Sequence, residues 1–380
     1  MRIAVLLSGG VDSSVTLRLL AEAGHEVEAF YLKIWLEDEL AHLGACPWEE
    51  DLAYARAVCE AVGVPLNVLS LQRAYHDRVV RWAVDELRQG HTPSPDIFCN
   101  RRIKFGAFME ELEEARGHDF DRVASGHYAR IDRNGETVRL LSGVDPVKDQ
   151  TYFLFHLDRS QLERLEFPLG EYRKSEVREL ARRFDLPNQN RPDSQGICFL
   201  GKLPYDEFVK GYLGENPGEI RELAEDGNSV GRLLGTHRGL WFHTIGQRKG
   251  LGLGGGPWYV VSKDLEKNVL YVGHGRVLPD LSRRSFRVKD PHWIAGQSPG
   301  VERLGIRIRH SPALVNGTVQ AVDGGLEVLL DEADAGVAAG QWAVFYDGPV
   351  CLGGGMITGS SSVGNSTSDQ SENASSRTES

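Results

Sequence analysis

Arg2-Ile3-Ala4-Val5-Leu6-Leu7-Ser8-Gly9-Gly10-Val11-Asp12-Ser13-Ser14 is the stretch that decides the fold. Residues 2–7 are short and apolar enough to read as a strand covered on both faces. Two glycines then let the backbone turn tightly and approach an anion closely. The N–H groups and serine hydroxyls that follow face a helix N-terminus, a ready phosphate site. The helix reads over 13–23, with Val15, Leu19 and Leu20 on one face and Gly24 as its C-cap. Strand, phosphate-type turn and helix in immediate succession imply an α/β domain whose ligand lies at the carboxyl ends of parallel strands.

Working outward, apolar runs at 26–35 and 65–71 and the short Arg122-Val123-Ala124 extend the strand series. Helical patterns near 50–62, 75–89 and 101–116 lie between them, as right-handed crossovers require. From about 203 the texture changes to frequent glycine and short β-branched or aromatic runs, such as Trp258-Tyr259-Val260-Val261, which read as small β modules. The expected organisation is 1–202 for the nucleotide domain, 203–275 and 276–358 for two β modules, and 359–380 for a disordered Ser/Thr-rich tail. The 380 residues carry a net charge of -11 with 41% hydrophobic content, so no global basic field marks a nucleic-acid binder. Charge segregates locally, however: residues 276–310 hold eight Lys/Arg against three Asp/Glu. Arg307 and Arg309 alternate with Ile306 and Ile308, which predicts both arginines exposed on one strand face, either as a solvated surface or as a footprint for a polyanion. No apolar run is long enough to span a membrane. Five scattered cysteines and an N-terminus without a leader-like pattern suit a reducing, cytoplasmic setting.

Gly250-x-Gly252-x-x-Gly255 matches a dinucleotide fingerprint as a string, but Pro257 and a β run follow it where a helix is required. Thr92-Pro93-Ser94-Pro95-Asp96-Ile97-Phe98-Cys99-Asn100 reads as a proline-fixed loop leading into a helix that starts near Arg101. The helix N-terminus with Arg101 and Arg102 would favour a Cys99 thiolate, and Asp96 stands near enough in sequence for acid/base work. Cys198 lies in another polar turn, Arg191-Pro192-Asp193-Ser194-Gln195-Gly196-Ile197-Cys198-Phe199-Leu200, whereas Cys59 and Cys351 sit in apolar surroundings. Two polar-context cysteines without metal-ligand spacing point to sulfur or redox chemistry rather than zinc.

The loop at 8–14 resembles that of ATP pyrophosphatases (the PP-loop superfamily). With it, in order, come Pro95-Asp96-x-x-Cys99-Asn100, Ser125-Gly126-His127-Tyr128, Lys148-Asp149-Gln150-Thr151-Tyr152-Phe153, the Cys198 turn, His243-Thr244-Ile245-Gly246-Gln247-Arg248, and Gln341-x-Ala343-Val344-Phe345-Tyr346. Together they resemble the bacterial-type tRNA-specific 2-thiouridylase family over nearly all of 1–358. The resemblance implies an adenine-nucleotide α-hydrolase-like parallel-sheet domain followed by two small mainly-β modules, the last barrel-like. It implies adenylation of O2 of the wobble uridine by ATP with Mg²⁺, then sulfur transfer from a cysteine persulfide, releasing AMP and pyrophosphate. Cys198 would carry the persulfide, Cys99 would be the nucleophile that closes a disulfide with it, and Asp96 the acid/base. Leu6, Leu7, Ser8, Gly9, Gly10, Val11, Asp12, Ser13, Leu32 and Gly126 would line ATP. Ser94, Pro95 and Asp96 would meet the base, and His127, Lys148, Asp149, Gln150, Arg307, Ile308 and Gln341 the tRNA. The implied partners are tRNAs for Lys, Glu and Gln and a persulfide-donor protein, a cysteine desulfurase or relay, with no membrane. Ser94 and Ile308 depart from the family pattern of Asn and Tyr. Asp rather than Cys at position 96 argues against an iron–sulfur cluster, so no permanent metal is expected. The rival classes are a small-molecule adenylating ligase and an RNA-binding protein that keeps only the fold; neither calls for paired thiols.

Overall fold

The computed structural model describes residues 1–34, 47–135, 137–193, 205–223, 230–275, 283–334 and 336–359. Cys46, Cys198 and the tail lie outside them. Along the first part run β1 (Arg2–Leu6), β2 (Glu26–Lys33), β3 (Leu66–Ser70), β4 (Arg122–Ala124), β5 (Ala129–Asp132), β6 (Arg139–Ser142) and β7 (Leu165–Glu166). Five of these form a parallel sheet in the order β3-β2-β1-β4-β7. The side-chain period of two shows why β1 is central. Ala4 and Leu6 enter one core and Ile3, Val5 and Leu7 the other, so both faces are covered. The chain runs from β1 outward to β3 and then returns to place β4 on the opposite side of β1, which makes the β1/β4 carboxyl edge the topological switch point.

Beyond residue 205 lie β8 (Gly218–Leu223), β9 (Val230–His237), β10 (Trp258–Asp264) and β11 (Val269–His274), a separate sheet in the order β10-β11-β8-β9. The Gly250–Gly255 string is a loop running into β10, as its missing helix predicted. The last part holds β12 (Arg283–Trp293), β13 (Arg303–Arg307), β14 (Val315–Val322), β15 (Gly325–Asp334), β16 (Trp342–Asp347) and β17 (Val350–Gly359). β12 pairs with both β15 and β17, which closes a six-stranded antiparallel barrel.

The barrel does not stand apart from the parallel-sheet domain. β17 pairs with β6, and β6 with β5, so a hairpin of the first domain extends the barrel sheet. β16 divides its side chains accordingly: Ala343 and Phe345 fill the barrel, whereas Trp342, Val344 and Tyr346 join the core that holds Phe98, Cys99 and Phe155.

Two expectations need correction. The helix at 101–116 begins earlier, at Pro95, and continues through a π-helical stretch Cys99–Ala107 to Arg116. Proline suits the first helical position, where its missing N–H is not needed, so Pro95 starts a helix instead of extending a loop. Arg307 is 5% exposed, not solvent-facing. Ile306 and Ile308 do point into the barrel, but the opposite face at Arg307 is covered by the first domain. There its guanidinium pairs with Asp149, itself 1% exposed, and lies 4.7 Å from the Tyr346 ring centroid. Arg309 alone keeps the expected exposure, paired with Asp334 at 3.0 Å.

Removing one member of a buried ion pair strands the other charge. Arg307→Met should therefore lower the unfolding free energy by about 3–5 kcal/mol. Arg309→Gln should change it by no more than about 0.5 kcal/mol. Urea-unfolding midpoints compare the two, and equally small shifts would show that the buried pair contributes nothing.

Candidate active site

The loop after β1 is held by its own hydroxyls. Ser13 Oγ accepts from the Ser8 N–H at 3.2 Å and donates to the Gly10 carbonyl at 3.0 Å, and Ser14 Oγ donates to the same carbonyl at 2.9 Å. Gly10 caps the helix Val11–Glu22 with no side-chain bond, so the first-turn N–H groups face the bay rather than a cap. Gly9 adopts φ +76°, and a Cβ there would come within 2.2 Å of the Asp51 carbonyl. Gly126, just past β4, packs against the same helix start: a Cβ on it would lie 2.9 Å from the Ser13 nitrogen. The loop and Gly126 thus form the two walls of the β1/β4 crevice, while Leu32, one residue before the end of the neighbouring β2, is partly buried.

Further side chains complete this bay. Buried Asn188 donates to the Gly9 carbonyl at 2.8 Å and to Ser14 Oγ at 2.9 Å. Arg191 donates to the Gly9 carbonyl at 3.0 Å and pairs with Asp51. Asp12, about a third exposed, receives Lys174 Nζ at 2.6 and 2.7 Å and the Tyr128 hydroxyl at 2.9 Å. Lys174 also reaches Asp193 at 2.9 Å, where Lys148 at 2.9 Å and Arg178 converge. Burial works to raise the Asp193 carboxyl, but hydrogen bonds from Lys148 and Lys174 and their charges overcome it and hold the group well below the usual carboxylate range. Asp145 accepts from the Lys174 backbone N–H at 3.0 Å and the Lys148 backbone N–H at 3.2 Å, so three cations face three carboxylates in one network at this edge of the bay.

The thiol side is built differently. Asp96 lies in the first turn of the helix begun by Pro95, with Ser94 as its N-cap. Cys99 is 1% exposed, one turn further in, packed in the core shared with the barrel. The neighbouring cations are engaged elsewhere: Arg101 bonds His156 at 3.1 Å, and Arg102 stacks 3.9 Å over the Phe98 ring. His156 is pushed down to about 2, chiefly by burial and then by Arg101.

The remaining sequence-predicted residues divide. His127 is buried, bonds Ser125 Oγ at 2.7 Å and is kept neutral by desolvation. Gln150 holds the Tyr128 N–H at 2.9 Å; Asp149 is turned to Arg307 and Thr151. Ile308 belongs to the barrel interior, and Gln341 sits at the barrel rim, its carbonyl accepting from Ile357 N at 2.8 Å. Lys148 remains partly exposed beside Asp193. The structure therefore gathers 6–13, Gly126 and Lys148 around one bay, sets Arg307 and Asp149 into the docking of the barrel and puts Ile308 in the barrel core. Lys174, Arg178 and Asn188 have no sequence signal beyond the pattern of an exposed helix face and a polar loop, and Arg191 is legible only as the start of the Cys198 turn, with no site role attached. Among the described residues no group of three His, Cys, Asp or Glu side chains is arranged to hold a metal ion.

Three family models match in succession: a tRNA methyl transferase HUP domain over 1–202, a tRNA methyl transferase PRC-barrel domain over 206–274, and an aminomethyltransferase beta-barrel domain over 283–357. The tRNA-specific 2-thiouridylase MnmA 2 of Bacteroides fragilis is 45% identical over 363 residues, covering 94% of this chain and 100% of the relative. MnmA 1 of Bacteroides thetaiotaomicron is 44% identical over 366 residues, with 94% and 100% covered. MnmA of Parabacteroides distasonis is 43% identical over 367 residues, with 94% and 99% covered.

Because Gly126 leaves no room for a Cβ against the Ser13 backbone, Gly126→Ala should weaken ATP binding about tenfold or more, as overpacking of 1–3 kcal/mol implies. Gly211→Ala, where a Cβ meets nothing within 4 Å, is the control. Calorimetric titration with a non-hydrolysable ATP analogue measures both; equal affinities would remove Gly126 from the site.

Proposed function

Since the chain belongs to the tRNA-specific 2-thiouridylase family, we propose that it replaces O2 of the wobble uridine of tRNA with sulfur, splitting ATP to AMP and pyrophosphate. The observation that carries this reading is the loop between β1 and its helix, where Gly9 turns at φ +76°, Gly10 leaves the helix start without a side-chain cap, and the Lys148 and Lys174 ammonium groups stand beside Asp12 and Asp193. The methyl-transferase wording of two family models names a different chemistry. A phosphate-cradling loop favours activation by ATP instead.

In the proposed reaction the uridine O2 attacks the α-phosphorus of ATP, pyrophosphate leaves, and Asp96 takes the base's N3 proton. O2 then departs as part of AMP, a far better leaving group than oxide. The terminal sulfur of a Cys198 persulfide attacks C2 and expels AMP, leaving a Cys198–S–S–C2 link. The Cys99 thiolate attacks Cys198 Sγ, which closes the Cys99–Cys198 disulfide and leaves the sulfur on C2 as an anion; protonated Asp96 returns the proton to N3, giving the thiocarbonyl. A thiol reductant restores both cysteines, and a persulfide-bearing donor protein reloads Cys198. Asp12, beside the loop and partly exposed, suits a Mg²⁺ arriving with ATP, which would neutralise phosphate charge.

Ser94, Pro95, His127, Lys148, Gln150 and Gln341 remain the proposed tRNA-side residues, in tRNAs for Lys, Glu and Gln. Arg307 and Asp149 are assigned instead to seating the barrel, because they pair with each other across it, and Ile308 to the barrel's own core. The working units are 1–202, 203–275 and 276–358. A tRNA substrate and reducible thiols suit the cytoplasm, and no described helix is long and apolar enough to cross a membrane.

Incubation of tRNA with the protein, ATP, Mg²⁺ and a sulfide source, followed by nucleoside analysis, should yield 2-thiouridine. With a persulfide donor, Cys198→Ser and Cys99→Ser should each abolish it while tRNA binding survives. Cys59→Ser should stay active, because burial pushes that thiol up to about 11 and makes it a packing residue. Release of ADP in place of AMP and pyrophosphate would overturn the mechanism.

A further inference from the structure

The His243–Arg248 motif takes no part in the chemistry above, yet it lies against the segment that leads to Asp96. Gly90, His91 and Thr92 are met in turn by the two other modules. The Gly90 carbonyl accepts from Lys263 Nζ at 3.0 Å, and Leu265 packs so closely that a Cβ on Gly90 would lie 2.9 Å from its methyl. Thr92 Oγ1 stands 3.5 Å from Thr244 Oγ1, the second residue of the motif. His91 faces Gly340 of the barrel, where a Cβ would come within 2.3 Å of His91 Cβ, and bonds Glu86 at 2.6 Å.

Gly90 ends the helix Arg81–Arg88 with φ +78°. Its carbonyl lies at the negative end of that helix, where a cation is favourable. The cation comes from a different module, so Lys263 caps the helix in trans. Burial lowers the Lys263 ammonium to about 8, and it makes no ion pair among the described residues. The neighbouring His243 is pushed down to about 4, mainly by burial, with His237, Lys263 and Arg238 adding repulsion. A desolvated ammonium held by one carbonyl is an expensive way to join two modules, and an apolar contact would join them more firmly. It is suited instead to fixing the direction of a particular backbone group.

We infer that Lys263 and Thr244 are positioning residues: the central module grips 90–92 and thereby sets Asp96, four residues beyond Thr92, against the target base. This rests on the proposed thiolation. It assigns the central module a place in the chemical step rather than in RNA affinity.

The test uses the full chain with Lys263→Met, Lys263→Arg and Thr244→Val. Lys263→Met should slow single-turnover thiolation about 10- to 100-fold, the scale of a small misplacement of reacting groups. Dissociation constants for tRNA and ATP should stay within about twofold, and amide exchange across 90–96 should quicken. Lys263→Arg should recover most of the rate, and Thr244→Val should fall between. Unchanged turnover in Lys263→Met would overturn the inference, as would a loss confined to tRNA affinity. An arginine variant as slow as the methionine one, with exchange quickened throughout the chain, would reduce Lys263 to a packing role and also overturn it. A wild-type protein that made no 2-thiouridine would sink the proposed reaction instead, and exchange at 90–96 would then judge the grip by itself.

Discussion

The Asp149–Arg307 pair is the constraint on which the arrangement of the molecule turns. A carboxylate 1% exposed cannot remain charged without a partner, and its partner is carried by a barrel strand more than 150 residues later. The residues around Asp149 spread that dependence in both directions. Lys148 reaches Asp193 at the nucleotide bay, and Gln150 holds Tyr128, whose hydroxyl bonds Asp12. Thr151 lies 3.1 Å from the Tyr346 hydroxyl of the barrel. Four consecutive residues therefore alternate between the phosphate loop and the barrel, and neither side is complete with the other undocked.

Seating the barrel also decides the surroundings of the buried thiol. Cys99 shares its core with Phe98 and Trp342, whose rings are 5.6 Å apart, and Trp342 belongs to β16. The Cys99 thiol therefore lies in a core walled partly by the C-terminal module, where charges act strongly. That explains why an intact nucleotide domain is followed by modules holding no phosphate loop of their own.

Much of this was legible from residues alone, for identifiable reasons. Apolar runs bounded by glycine gave β1 to β4, and the loop at 8–14 announced itself by its position between strand and helix. The glycine string at 250–255 was discounted because no helix followed it, and β10 does follow. Periodicity also placed Ile306 and Ile308 correctly inside the barrel. It could not tell whether the opposite face met water or another domain, since alternation records only which residues share a side. For that reason Arg307 was misjudged and Arg309 was not. Lys174 and Asn188 are not legible because they reach the bay from a polar helix face and a loop with no repeating pattern. Pro95 was read as a loop former when, at a first helical position, it is a helix starter.

The β6–β17 ladder has a further implication for how the protein is made. β17 is synthesised after every other described strand, yet it supplies the hydrogen-bonding partner for a hairpin formed by residues 129–142. Until the ribosome has delivered the C-terminal strand, that hairpin presents an open edge, and Asp149 waits without its counter-charge. Such edges invite pairing with other chains. A nascent polypeptide of this kind passes through a long interval of exposure, and truncated products would carry the nucleotide loop in a half that is never sealed.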